Sequence, residues 1–347
     1  MFSKEMFSAE YIESVHKQTG NDPSLIEKML YAFGLLQAIS IVGMPFVFKG
    51  GTSLLLLLDH PRRFSTDIDI IVKPGTDINS YIRMARDIFP FTDVSEDIRI
   101  GHNRIEKRHF KFGYISPLKR KEGIILLDVV FSDLQYTSLI EKSLKSSFLL
   151  TEGEDISVLL PSVNCILGDK LTAFAPYTTG VPFGIGKELE VVKQLFDCGS
   201  LCEEMSCLDE VKNNYERVLK KEIEYRGLDI CSKEVLVDTI VSCLTVASRG
   251  MYDRRGDYNK FLEGIEAINN HVFERAFSGE IAGAYAGRVM NLAGRILIDR
   301  ISEDGLVRHC GMGVSDLKVR WFRYLQHIDS DSYESIIKIL PLLEEID

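Results

Sequence analysis

Residues 48–72 read FKGGTSLLLLLDHPRRFSTDIDIIV. An apolar run meets paired glycines at 50 and 51, a leucine-rich segment follows, and a second apolar run carries Asp67 and Asp69 one residue apart. Few local structures accommodate that succession. MPFVFKG (44–50), bounded by Pro45 and the glycines, reads as a short buried strand, and TSLLLLLDH as a helix that begins at the Gly-Gly turn. STDIDIIVK, β-branched and alternating, reads as the next strand. Side chains at i and i+2 of a strand share a face, so the two carboxylates converge. Like charges held together in a partly apolar setting repel and lose hydration, so a positive partner is required.

A hard divalent cation meets that requirement. Mg²⁺ (or Mn²⁺) is commonly held by one or two carboxylates together with substrate phosphates. Asp128, in LLDVV, lies on another expected strand and is the candidate third carboxylate. Three aspartates on two neighbouring strands suit a two-metal phosphoryl-transfer centre. The turn Gly50-Gly51-Thr52-Ser53 adds a phosphate site: glycines admit close backbone approach, a helix N-terminus presents free N–H groups, and Thr52 or Ser53 could add a hydroxyl donor. The GxxxxGK[ST] pattern of a P-loop is absent.

Elsewhere in the N-terminal half strand and helix patterns mix. Ser8 is placed to cap a helix over SAEYIESVHKQ, and Asp22 with Pro23 opens another that ends near Gly43. NSYIRMARDIFP reads as a helix closed by Pro90, residues 104–116 as an exposed strand, and 123–131 as a more buried one. Pro161 and Ser162 open a helix that runs through Lys170, and from about 185 onward only helical periodicity is legible. The expected architecture is therefore an α/β (α+β) domain around a small mixed sheet, residues 1–180, followed by a mainly α-helical C-terminal domain, 181–347, with the boundary in 150–185.

The net charge of -10 argues against whole-surface attraction to nucleic acid. The densest basic stretch, 99–121, holds Arg104, Lys107, Arg108 and Lys111 with Phe110 and Phe112 interleaved. It reads either as a charged, exposed edge strand or as a track for an RNA backbone. Arg249, Arg254 and Arg255 fall in an expected loop between helices. The apolar runs at 53–58 and 123–131 are too short to cross a bilayer, and residues 1–15 lack a secretory pattern. Seven cysteines without framework or zinc spacing point to free thiols in a reducing compartment, and hence to the cytoplasm.

KGGTSL followed by RFSTDIDI resembles the signature of the AbiEii/AbiGii-type toxins, to which the MenT toxins are similar, in the nucleotidyltransferase superfamily with a DNA-polymerase-β-like fold. The resemblance implies that Gly50, Gly51 and Ser53 contact nucleotide phosphates and that Asp67 and Asp69 hold Mg²⁺, with Arg63 matching the arginine ahead of the serine. Asp169-Lys170-Leu171-Thr172-Ala173 and Lys193-Gln194-Leu195-Phe196-Asp197 resemble the family's EKL.A helix and KDLYDL segment, with aspartate for the usual glutamate and glutamine for the first aspartate. Lys170 would then be the phosphate-contacting lysine and Asp197 the later acid. Strand geometry favours Asp128 to complete the metal site, whereas the family pattern lends weight to Asp197. The resemblance further implies an NTP substrate, an RNA acceptor such as the tRNA 3′ end, and a cognate antitoxin partner. Two alternatives stay open: a small-molecule or protein acceptor, and a nucleotide-binding module without turnover.

Overall fold

A computed structural model describes residues 1–97, 106–273, 276–303 and 319–346. The chain divides into two compact units, one comprising residues 1–166 with 270–275, the other 167–269 with 276–347.

The first unit opens with helices α1 (Ala9–Thr19) and α2 (Pro23–Ile41). Their starts follow from local chemistry. Ser8 Oγ accepts from Tyr11 N, and the Asp22 carboxylate accepts from Ser24 and Leu25 N, with Pro23 in the first turn, where no backbone N–H is needed. By length and composition α2 would pass for a membrane span, yet it is buried from Ile26 to Ile39 apart from Lys28. Its Glu27 carboxylate accepts hydrogen bonds from Tyr114 Oη (2.9 Å) and Ser116 Oγ (2.8 Å), which ties the helix to the sheet.

There follow β1 (Val47–Lys49), α3 (Gly50–Leu57), β2 (Ile68–Val72), α4 (Asn79–Arg86), β3 (Phe91–Glu96), β4 (Lys107–Ile115), β5 (Glu122–Phe131), β6 (Leu139–Ser143) and β7 (Ser157–Pro161). Five strands form a sheet in the order β1-β2-β5-β4-β3, and β6 with β7 forms a separate hairpin. β2 and β5 run parallel, whereas the other neighbours in the sheet are antiparallel, so the sheet is mixed as expected. One face is apolar and closed, carrying Phe48, Ile68, Ile70, Val72, Phe110, Leu127 and Val129. The other face is more open.

Strand β4, expected from its charge to be exposed as an edge would be, is internal: β3 pairs with it and takes the edge position. β3 and the β6–β7 hairpin are short additions to the strands expected from the sequence, and β3 (FTDVSE) is largely polar. Residues 270–273 return to this unit. Phe64 N donates to His271 O (2.8 Å), Phe273 N donates to Arg62 O (3.0 Å), and Phe273 packs with Phe64 and Phe148.

Helix α5 (Val163–Ala173) spans the division at residues 166 and 167. The second unit is helical: α6 (Glu188–Glu204), α7 (Leu208–Arg226), α8 (Ser232–Ala247), α9 (Tyr258–Ile268), α10 (Gly279–Glu303), α11 (Leu325–Ile328) and α12 (Ser330–Ile346). Helix α10 packs on α8, α6 and α12. The arginine-rich segment is the expected α8–α9 connection, and its charges are engaged inside the unit. Arg249 pairs with Glu280 (2.9 Å) and stacks on Tyr324, and Arg255 pairs with the buried Asp238.

Candidate active site

The open face of the sheet carries a row of four side chains on four successive strands. Lys49 on β1 is the register partner of Asp69 on β2, Asp69 of Asp128 on β5, and Asp128 of His109 on β4. Alternation along each strand keeps all four on one face, because their flanking neighbours Phe48, Ile68, Ile70, Leu127, Val129 and Phe110 are buried on the other. The two carboxylates thus lie side by side with a basic residue at either end. His109 Nδ1 lies 2.6 Å from Asp128 Oδ1, and the Lys49 ammonium stands over the Tyr136 ring at 5.9 Å. No histidine cluster is apparent in the linear sequence. His109 becomes legible as a site residue only through this cross-strand register.

Gly50 follows Lys49 directly and explains the first glycine of the pair. Its φ is +83°, and a Cβ there would collide with the Asp69 carboxylate. The turn and the acid are therefore in contact, and that contact together with the left-handed backbone disfavours any other residue. Gly51 has a different neighbour: a Cβ at this position would come within 2.8 Å of Arg63 Nη2 and 2.9 Å of Ser65 Oγ. Helix α3 starts here with no side-chain cap from Lys49 and no acidic residue in its first turn, and the Asp69 carboxylate lies against Gly50 at this positive dipole end.

Thr52 and Ser53 are fully buried, and their hydroxyl protons are committed inside the turn. Thr52 Oγ1 donates to Asp67 O (2.6 Å) and Ser53 Oγ to Gly50 O (2.8 Å). The first bond ties the turn to the residue preceding β2; the second closes the helix start. In this structure both side chains therefore brace the turn. Arg63 is likewise buried rather than solvated. Nη1 donates to Phe64 O (3.1 Å), and residue 63 forms a β-bridge with Val272, so the returning segment holds the arginine against the turn.

Asp67 precedes β2 and is exposed, on the same side as Asp69 by i, i+2 spacing. Among the described residues no group of three or more His, Cys, Asp or Glu is gathered tightly enough to hold a metal ion. The pair the fold brings together is Asp69 with Asp128. That donor set, two carboxylates beside a glycine with no room for a side chain, fits a hard divalent cation whose remaining ligands come from substrate oxygens.

Lys170 and Asp197 meet in the second unit. Lys170 Nζ on α5 lies 2.7 Å from Asp197 Oδ2 on α6 and donates to Gln194 Oε1 at 3.2 Å. Both are nearly buried, with side-chain exposures of 11% and 1%. The two separate sequence motifs thus form one bonded unit, and Gln194, the residue that departs from the family pattern, is a partner of the lysine.

The basic stretch fares differently. Arg104 lies outside the described residues. Arg108 donates from Nε and Nη2 to both carboxylate oxygens of Glu96 (2.8 Å each) and stacks on Phe110, and Lys111 lies 3.3 Å from Asp97. Lys107 is exposed at the start of β4. Arg108 and Lys111 are thus engaged with acids at the sheet edge.

The structure is similar to JHP933 from Helicobacter pylori, with 13% identity, a TM-score of 0.44, and coverage of 80% of this chain and 96% of that one. It is similar also to a second H. pylori protein, provisionally named a nucleotidyltransferase, with 14% identity, a TM-score of 0.45, and coverage of 82% and 99%. None of the curated proteins compared with the chain matches it. The sequence profile of the AbiEii nucleotidyl transferase toxins of type IV toxin–antitoxin systems matches residues 34–279, a span that takes in the Gly-Gly turn, the aspartate pair and both later motifs. The chain is therefore a nucleotidyltransferase and belongs to the AbiEii toxin family.

Proposed function

We propose that the chain moves a nucleoside monophosphate from an NTP to the 3′-hydroxyl of an RNA, the tRNA acceptor end being the favoured case, in the cytoplasm and as the toxin of a toxin–antitoxin pair. The observation that carries this reading is the contact of Gly50 with Asp69, whose strand neighbour is Asp128. A phosphate-binding backbone and a carboxylate pair adjoin in the order that nucleotidyl transfer needs. The acceptor oxygen bonds to the α-phosphorus as the bond to the β-phosphate bridge breaks. The electron pair leaves with pyrophosphate, and the hydroxyl proton is released to water.

In this reading the backbone N–H groups at the start of α3 receive the triphosphate, aided by the helix dipole. Asp69 and Asp128 would hold Mg²⁺, with Asp67 at the open end of the pair. When bound there, the cation lowers the pKa of the attacking hydroxyl and offsets phosphate charge. His109 holds Asp128 in place, and Lys49 stands opposite Asp69. Lys170, which the family motif assigns to phosphate, is held within its own unit by Asp197 and Gln194.

Incorporation of each labelled NTP into bulk tRNA, compared between wild type and Asp69→Ala, tests the reading. Label that disappears in the variant is the expected result. Pyrophosphate release without labelled RNA would move the acceptor to a small molecule or protein. NTP-dependent thermal stabilisation without pyrophosphate would leave a binding module.

A further inference from the structure

A cavity of about 590 Å³ opens in the first unit where β1 begins and β2 and β5 end. Its walls include Val47, Ile71, Leu134 and Leu159, and Lys73 and Asp133 also line it. Both Lys73 and Asp133 are exposed, which places charge at the mouth. Val47 and Ile71 are register partners of each other, and Ile71 pairs with Val130 on β5. They form the row next to Lys49–Asp69–Asp128 on the same sheet face, two residues farther along each strand. At ~3.3 Å per residue that is about 6.6 Å from the carboxylates.

The direction of this offset matters. Because β1 and β2 are antiparallel, the Gly50 turn lies beyond Lys49 at one side of the carboxylate row, and the cavity lies beyond Val47 and Ile71 at the other. In-line displacement at phosphorus sets the attacking and leaving oxygens on opposite sides of the transferred group. With pyrophosphate leaving on the α3 side, the acceptor must enter from the cavity side.

We infer that this cavity seats the terminal nucleobase of the acceptor RNA, so that its ribose hydroxyl reaches the Asp69–Asp128 row. The inference rests on the function proposed above and adds the acceptor subsite. Aliphatic walls suit the faces of a planar ring, and the charged mouth suits its hydrogen-bonding edge and a backbone phosphate, which Lys73 would attract.

The test uses the full-length protein and a short RNA ending in 4-thiouridine, cross-linked by light and mapped by peptide mass spectrometry. Cross-links to peptides bearing Ile71 or Leu134 are expected. Leu134→Trp, a loop substitution that fills the cavity, should raise the acceptor KM roughly tenfold, about the effect of losing one base contact. The NTP-dependent thermal shift should stay unchanged. If the wild type extends RNA but cross-links map elsewhere and Leu134→Trp leaves the acceptor KM unaltered, the cavity assignment is overturned and the proposed function stands. If the wild type extends no RNA, the RNA-acceptor reading fails and takes the cavity assignment with it.

Discussion

His109 and Asp128 face one another across β4 and β5, with Nδ1 2.6 Å from Oδ1. An ionised carboxylate only accepts hydrogen bonds, so this contact requires the proton on Nδ1. One oxygen of Asp128 is thereby held in position.

Removing that donor should misplace Asp128 without unfolding the sheet. His109→Ala is expected to lower transfer activity roughly 10–100-fold, the usual effect of losing a partner of a ligating group. His109→Asn, whose amide can take the place of Nδ1–H, should restore most of it. Equal activities in the two variants, read alongside their melting temperatures, would reduce His109 to a packing residue.

Gly50 should tolerate substitution less well than a left-handed glycine with open space around it, such as Gly20. Gly20 has φ +75° and nothing within 4 Å of where a methyl group would stand, whereas a methyl at Gly50 meets the Asp69 carboxylate. Gly20→Ala should therefore show only the backbone strain, about 1–2 kcal/mol. Gly50→Ala should exceed it in urea unfolding and also abolish NTP-dependent stabilisation. Matching unfolding midpoints would show that the Asp69 carboxylate moves aside easily.

The Lys170–Asp197 pair is almost fully enclosed, so either charge left alone is costly. Lys170→Met should destabilise the protein by about 3–5 kcal/mol, and adding Asp197→Leu should recover part of that loss. A double variant no more stable than Lys170→Met would mean that the Asp197 charge finds another partner.

Glu96 titrates below its ordinary value of 4.5, chiefly because it accepts hydrogen bonds from Arg108, with burial opposing. A lowered folded pKa means that this stabilisation is complete above pH 4.5 and is lost as pH falls through the depressed value. Glu96→Gln should therefore flatten the acid limb of the stability curve slightly, within the range of an exposed ion pair, about 0.2–1 kcal/mol. Calorimetry from pH 6 to 3 would reveal it, and an unchanged acid limb would count against the pair.

The cysteines should separate by environment. Cys207 and Cys231 are exposed, while Cys198 and Cys243 are buried and desolvation pushes their thiols well above the ordinary range. Alkylation proceeds through the thiolate, so iodoacetamide should label the first pair in the native protein and the second only after unfolding. Native labelling of Cys198 would imply that α6 opens readily.

Local order along the chain was legible without coordinates. The strand, glycine turn, helix and two-carboxylate strand appear in the order the residues require, the caps at Ser8 and Asp22 close as their side chains dictate, and every element described after β7 is a helix. These features depend on residues a few positions apart, where periodicity and backbone preference act directly. Tertiary structure alone decided which residues meet. Alternation shows that Asp69 and Asp128 each lie on one face of a strand, but not that their strands are neighbours or that His109 stands next in the row. The same holds for Arg63, whose loop sequence suggests solvent until residues 270–273 return beside it, and for Lys170, whose helix does not reveal Asp197. Such pairings depend on which distant segment buries its apolar face against which, a choice made by the packing of the whole chain.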